Sequence, residues 1–265
     1  MLVPQSSFLL LALVSLAQAA RLTYWLSPGC PSGVQGAIDE AMSMADQAQP
    51  KIAGMKDDAK ADFSRLFKTT STPTRYKVKG YLSTIAGLIS TSQDSASVQI
   101  YCDNDRRWTD SIPELPGNRD REKYMRIYKD PATGAIREGL PGCLDPDGGE
   151  AWAWTYTNAK AKKSSMTICD SHLNQFSVLS YAELKISKLD NTKLNSFILS
   201  ATLLHEFTHL EGIDLDDNAY GWEKCLNLDA SRALRNADTI AFWGVSTLLR
   251  KNGYTISDDG VIHKS

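Results

Sequence analysis

The chain has little histidine, no dominant sign of charge and no second long apolar run, and each shortage excludes something. Only 4 of the 265 residues are His, so any clustering of imidazoles carries information. Against 31 Asp and Glu stand 29 Lys and Arg. That balance leaves neither the basic footprint of a nucleic-acid binder nor a polybasic membrane patch. After the N-terminus no apolar run reaches the ~18 residues a spanning helix needs. No N-x-[ST] triplet occurs, so N-glycosylation is not expected. The cysteines Cys30, Cys102, Cys143, Cys169 and Cys225 include no C-x-x-C pair, which argues against a cysteine zinc site. Their number is odd, so at least one stays out of any disulfide. Internal repeats and low-complexity linkers are absent.

What is present begins with a sorting signal. The stretch "SFLLLALVSLAQAA" is apolar with small residues behind it. Ala17 and Ala19 fit the small-x-small rule, which places a signal peptide at 1–19 with the cut after Ala19. Read as a membrane anchor, the same run is too short to span comfortably. The expectation is a secreted, extracellular protein whose cysteines can oxidise. Residues 20–265 suffice for a single domain.

Along that domain, Val34, Ile38, Met42 and Ala45 recur at helical spacing and predict a helix over 33–48. A shorter helix starts near Asp57, and a third runs from Thr72, with Pro73 at its start, toward Ser90. The stretch "ASVQIYC" reads as a strand ending at Cys102. Residues 104–150 are rich in Asp, Pro, Gly and Arg and read as a surface insertion. Within it "KYMRIYKDPATGAIREG" predicts a hairpin turning on Asp130, Pro131 and Gly134. "EAWAWTYT" and "SSMTIC" read as strands of a small antiparallel sheet, the tryptophans as core or cleft wall. A strong helix spans 190–212, capped by Asp190 or Asn191 and ended by Gly212, and another spans 229–251. The fold class expected is α+β, predominantly helical.

The chemistry sits in "LLHEFTHLEGIDLDDNAYGW", residues 203–222, which contains H-E-x-x-H. On a helix His205 and His209 project from one face and can share an ion. Glu206 stands beside them, off that face, where it can reach water without ligating the metal. That combination suits zinc as Lewis acid and Glu206 as general base. His205 also continues the apolar stripe of Leu194, Phe197, Ile198 and Ala201, where an unpartnered imidazole is costly. A chance motif on an amphipathic helix is the bland alternative, and it predicts no bound metal.

Two histidines need a third ligand. The pattern H-E-x-x-H-x-x-G-x-x-[HD] places it three residues after the glycine, but that position here is Leu215. Downstream stands Asp217-Asn218-Ala219-Tyr220-Gly221, a D-x-x-Y-G element, and further on "NADTIAFW". Together these resemble the aspzincins, the deuterolysin and peptidyl-Lys metalloendopeptidase family of secreted fungal zinc proteases. The family pattern G-T-x-D-x-x-Y-G is kept from its Asp onward; Asp214-Leu215 replaces G-T, and Ile240 stands where Tyr is usual. The resemblance covers at least 191–245.

The resemblance implies a zincin-like catalytic domain; the sequence itself divides it into a helical part at 20–103, the insertion at 104–150 and the zinc-site part at 151–265. It implies one Zn2+ held by His205, His209 and Asp217, with Asp214 or Asp216 as alternative ligands because the turn is altered. It implies Tyr220 as hydrogen-bond donor to the oxyanion, and a Lys preference beside the cut. Asp238 has three readings: the acid that selects that Lys, a carboxylate orienting a ligating histidine, or a helix cap. The disulfides implied are Cys30–Cys102 and Cys143–Cys169 with Cys225 unpaired, Cys169–Cys225 being the alternative. The expected activity is zinc-dependent endopeptidase, acting as a monomer on a protein or peptide, with no nucleic-acid or membrane partner. The competing class is a secreted zinc-binding or host-surface-binding protein on the same fold, which would not need Glu206.

Overall fold

A computed structural model describes residues 21–110, 127–138, 141–144, 151–175, 181, 190–194 and 198–265. The expected signal peptide lies outside them, as does Phe197 of the apolar stripe.

The chain opens with β1 (Thr23–Leu26), followed by α1 (Gly33–Ala53), α2 (Asp57–Phe67) and α3 (Thr72–Ala86). Helix α1 outruns its expected end because the buried stripe of Ala41, Ala45, Ala48 and Ile52 continues the spacing beyond residue 48. Two short strands come next, β2 (Ile89–Ser90) and β3 (Val98–Tyr101). The insertion contributes β4 (Thr109–Asp110), β5 (Ile127–Lys129) and β6 (Ile136–Glu138). The β5–β6 hairpin turns where the sequence places it: Gly134 N–H donates to Asp130 O and Asp130 N–H to Ala135 O. Beyond it lie β7 (Ala153–Asn158), β8 (Lys163–Ile168) and α4 (Asp170–Gln175). The remaining elements are α5 (Leu199–Glu206), α6 (Trp222–Leu226), α7 (Ala230–Leu234), α8 (Ala237–Lys251) and the hairpin β9 (Tyr254–Ile256) with β10 (Ile262–Lys264).

The architecture is mixed helix and sheet. The sheet departs from expectation: β7 and β8 do pair antiparallel, but they belong to a five-stranded mixed sheet of order β2-β1-β3-β8-β7. β1 pairs parallel with β2 and β3, and β3 parallel with β8. Parallel pairing results from the connections, since long crossovers return the chain to the same end of the sheet. The bond Cys30–Cys102 fastens the ends of the paired strands β1 and β3, and Cys143–Cys169 ties the insertion to the end of β8. Cys225 is buried and free. Among the described residues no helix is long and apolar enough to cross a membrane.

Three expected helices are shorter than read. The one expected toward Ser90 ends at Ala86, and Ser90 lies in β2. Of the other two, the first is α5 followed by a 3-10 turn, Phe207–His209; Asp190 and Asn191 lie outside it, Asn191 N–H donating to Ile262 O. Thr208 Oγ1 donates to the His205 carbonyl at 2.7 Å, a local bond that competes with the helical ladder. The second is split into α7 and α8 at Arg235-Asn236, where the Asn236 side chain bonds the Ala219 backbone instead. Helices α5 and α8 cross tightly at Gly244, where a Cβ would stand 2.5 Å from Leu204 Cδ2. That close approach brings the start of α8 beside the end of α5, and so Asp238 beside His205.

Candidate metal centre

The end of α5 and its 3-10 turn carry His205 and His209, whose Nε2 atoms lie 3.2 Å apart. The chain then reverses through Gly212 and Asp214, with Leu215 N–H donating to Thr208 O at 3.1 Å. This return brings Asp217 Oδ1 to 3.2 Å from His205 Nε2 and 3.4 Å from His209 Nε2. Of the three expected acids, Asp217 is the one brought to the histidines. Asp216 turns away and accepts from Arg235 Nε at 2.8 Å. Asp214 lines the cleft outside the cluster.

The far nitrogens of both rings are committed. His205 Nδ1 lies 2.6 Å from Asp238 Oδ1, and His209 Nδ1 lies 2.9 Å from the Leu215 carbonyl. A carboxylate and a carbonyl can only accept, so each Nδ1 carries a proton and each Nε2 is the nitrogen turned to the centre. The other Asp238 oxygen accepts from Gly221 N–H at 2.6 Å, so both its oxygens are engaged in the framework.

The electrostatics fit a cation. Burial would lower the His205 imidazole, but hydrogen bonds with Asp217 and Asp238 outweigh it and raise it to about 10. His209 is raised too, its burial likewise outweighed by Asp217 and the nearby Glu206 charge. Burial works to raise Asp217, yet the two histidines pull it well below the usual carboxylate range. The cluster thus gathers positive charge among its acids. Zinc bonds of about 2.0–2.2 Å at tetrahedral angles separate ligand atoms by roughly 3.3 Å. The observed separations of 3.2, 3.2 and 3.4 Å match that spacing.

Glu206 lies at the rim of the cluster, with Oε1 4.0 Å from His205 Nε2. Its other oxygen accepts from Thr155 Oγ1 at 2.8 Å. The Tyr220 ring stacks on His205 with centroids 5.9 Å apart and is 58% exposed. Desolvation and the neighbouring Asp217 charge raise its phenol, which keeps the proton and can donate it. These groups share one cleft of 1080 Å³, walled on one side by β7.

Residues 141–244 match the family described as lysine-specific metallo-endopeptidase, the aspzincins. Over those residues the chain is similar to the aspzincins. A similar solved structure is a zinc peptidase from Grifola frondosa, 15% identical, with 81% of this chain and 96% of that one covered and a TM-score of 0.41. No curated relative matches by sequence.

The turn keeps its path despite the residues that differ from the aspzincin pattern, for a visible reason. Asp214 occupies the position of the family's glycine and adopts φ +50°, a left-handed conformation that Asp tolerates better than most residues. Leu215 replaces the family's Thr, yet what it gives His209 is a backbone carbonyl, which any residue supplies.

Sequence reasoning passed over Thr155 and the Leu215 carbonyl. The signal for Thr155 lay in Trp152-Ala153-Trp154-Thr155-Tyr156-Thr157, where large aromatics alternate with small residues. In a strand, such alternation leaves one face bare for another element to approach. Thr155 and Thr157 are on that face, and Thr157 Oγ1 donates to the His209 carbonyl at 3.3 Å.

Asp238→Asn is expected to weaken zinc binding by about 10–100-fold, the usual cost of losing an outer partner of a ligating histidine. Competition titration against a chromophoric chelator measures it. Unchanged affinity would remove Asp238 from that role.

Proposed function

We propose that this chain is a secreted endopeptidase in which His205, His209 and Asp217 hold one zinc ion and Glu206 is the general base. The observation that carries the reading is the 3.2–3.4 Å triangle of ligand atoms with the Glu206 carboxylate beside it in an open cleft. Bound there, zinc would supply Lewis acidity toward the peptide carbonyl and toward water.

The chain's own groups divide the remaining work. Thr155 holds one Glu206 oxygen and leaves the other facing the ligand cluster. That oxygen takes the proton of the attacking water and delivers it to the leaving amine. The Tyr220 phenol donates to the oxyanion of the tetrahedral intermediate. Asp238 and the Leu215 carbonyl fix the two imidazoles. β7 is the last strand of its sheet, and its free edge can pair with an extended peptide backbone.

The preference for Lys beside the cut rests on the family's description alone. Asp238, the acid proposed for it from the sequence, is engaged by His205 and Gly221.

Digestion of a mixed peptide pool, with and without a zinc chelator, tests the reading. Cleavage should stop with the chelator and return on adding zinc. A zinc-loaded chain that cuts nothing would overturn it in favour of a zinc-binding role.

A further inference from the structure

We propose that Arg137, on β6 of the insertion, forms a cationic subsite in the cleft that takes an Asp or Glu side chain of the bound peptide. The inference rests on the peptidase reading and adds a specificity element to it. Arg137 lines the same cleft as Glu206 and Tyr220. Among the described lining residues it is the one Lys or Arg, facing a cleft otherwise charged by Glu206, Asp214, Asp217, Asp238 and the two histidines.

Its position is built. The guanidinium carbon lies 4.6 Å from the centroid of the Trp154 ring, stacked on it. That indole is itself fixed: its Nε1 donates to the fully buried Asp105 at 2.6 Å. Gly142 packs so close that a Cβ there would stand 2.9 Å from Trp154 Cγ. The hairpin is held on β7 by Tyr156 Oη donating to Ile136 O, and by Asn158 Nδ2 donating to Thr133 O at 3.3 Å. The two buried acids among the described residues of the insertion are taken elsewhere. Asp105 accepts from Thr167, Cys143 N–H and Trp154, and Asp130 from Thr133 and Ala132 N–H. Among the described residues no carboxylate pairs with Arg137. A guanidinium stays charged at any physiological pH, and its fork matches a carboxylate.

The strand geometry says which side chains would reach it. Thr155 and Thr157 of β7 face α5 and its 3-10 turn, while Trp154 and Tyr156 pack toward the insertion. A peptide laid along the β7 edge alternates its side chains between these two sides. Those on the insertion side meet Arg137, whereas the scissile bond lies toward Glu206. An acidic preference there is compatible with Lys beside the cut, because the two occupy different positions.

Cleavage sites in a randomised peptide pool, read by mass spectrometry, test the subsite. The wild type should favour Asp or Glu over Asn or Gln at one position by about tenfold or more. Arg137→Gln should erase that preference, Arg137→Glu should turn it toward Lys or Arg, and Arg137→Lys should keep part of it. Zinc content and circular dichroism check that each variant folds. Identical profiles at every position in wild type and variants would overturn the proposal. A zinc-loaded wild type that cuts nothing defeats the peptidase reading instead. The same pool captured on the chain then decides the subsite: acidic peptides held by wild type and released by Arg137→Gln support it, and equal retention overturns it.

Discussion

Replacing Glu206 with Gln is expected to lower kcat/KM for peptide cleavage by about 10²–10⁴-fold while leaving the bound zinc in place. The substitution keeps the size of the side chain and an oxygen that can still accept from Thr155 Oγ1, the bond now 2.8 Å long. What it removes is the capacity to take a proton. The imidazoles and Asp217 are untouched, so the metal content should match the wild type. Cleavage rate and zinc per chain, measured on the same preparation, separate the two effects. A Gln variant that cuts at the wild-type rate would remove Glu206 from the mechanism, and loss of zinc along with activity would make its role structural.

Asp217→Ala should have the second large effect, on affinity first and on activity as a consequence. Losing the Oδ1 atom that stands 3.2 and 3.4 Å from the two Nε2 atoms leaves only two protein ligands. The expected fall in zinc affinity exceeds the ~10–100-fold typical of outer partners. Asp216→Ala should spare the metal, because that carboxylate is spent on Arg235. Asp214→Ala should spare it as well, at some cost to the turn. Zinc titration of the three variants decides the ligand. Retention by Asp217→Ala with loss in either of the others would reassign it.

The site was more legible than the sheet that supports it, and the reason is physical. His205, Glu206 and His209 are spaced by a local periodicity, and a sequence displays local periodicity directly. Asp217 could be named because a resemblance supplied the return path that no spacing rule gives. The strand Thr23–Leu26 offered no such signal: Pro28 and Gly29 mark a turn after it, but four residues carry too little alternation to read. Its parallel pairing with β3 joins residues more than seventy positions apart, as Tyr24 does with Val98, and nothing local encodes that. The break before α8 was written in the sequence as Asn236. Its capacity to bond backbone mattered only because Ala219 lies within reach, at 2.9 and 3.1 Å.

The groups proposed to hold the ion, with Asp238 behind them, all fall between His205 and Asp238, whereas the far wall of the cleft comes from the hairpin near Arg137 and from β7. The hairpin rests on β7 through its own small aromatic cluster, Trp108 and Tyr128 against Trp154 and Tyr156, and none of its described residues belongs to the ligand cluster. The residues proposed to hold zinc and the residue proposed to select the peptide are therefore carried on separable lengths of chain. A graft that exchanges the residues between Asp130 and Arg137 is a route to redirecting what the cleft accepts without rebuilding the ion's cage.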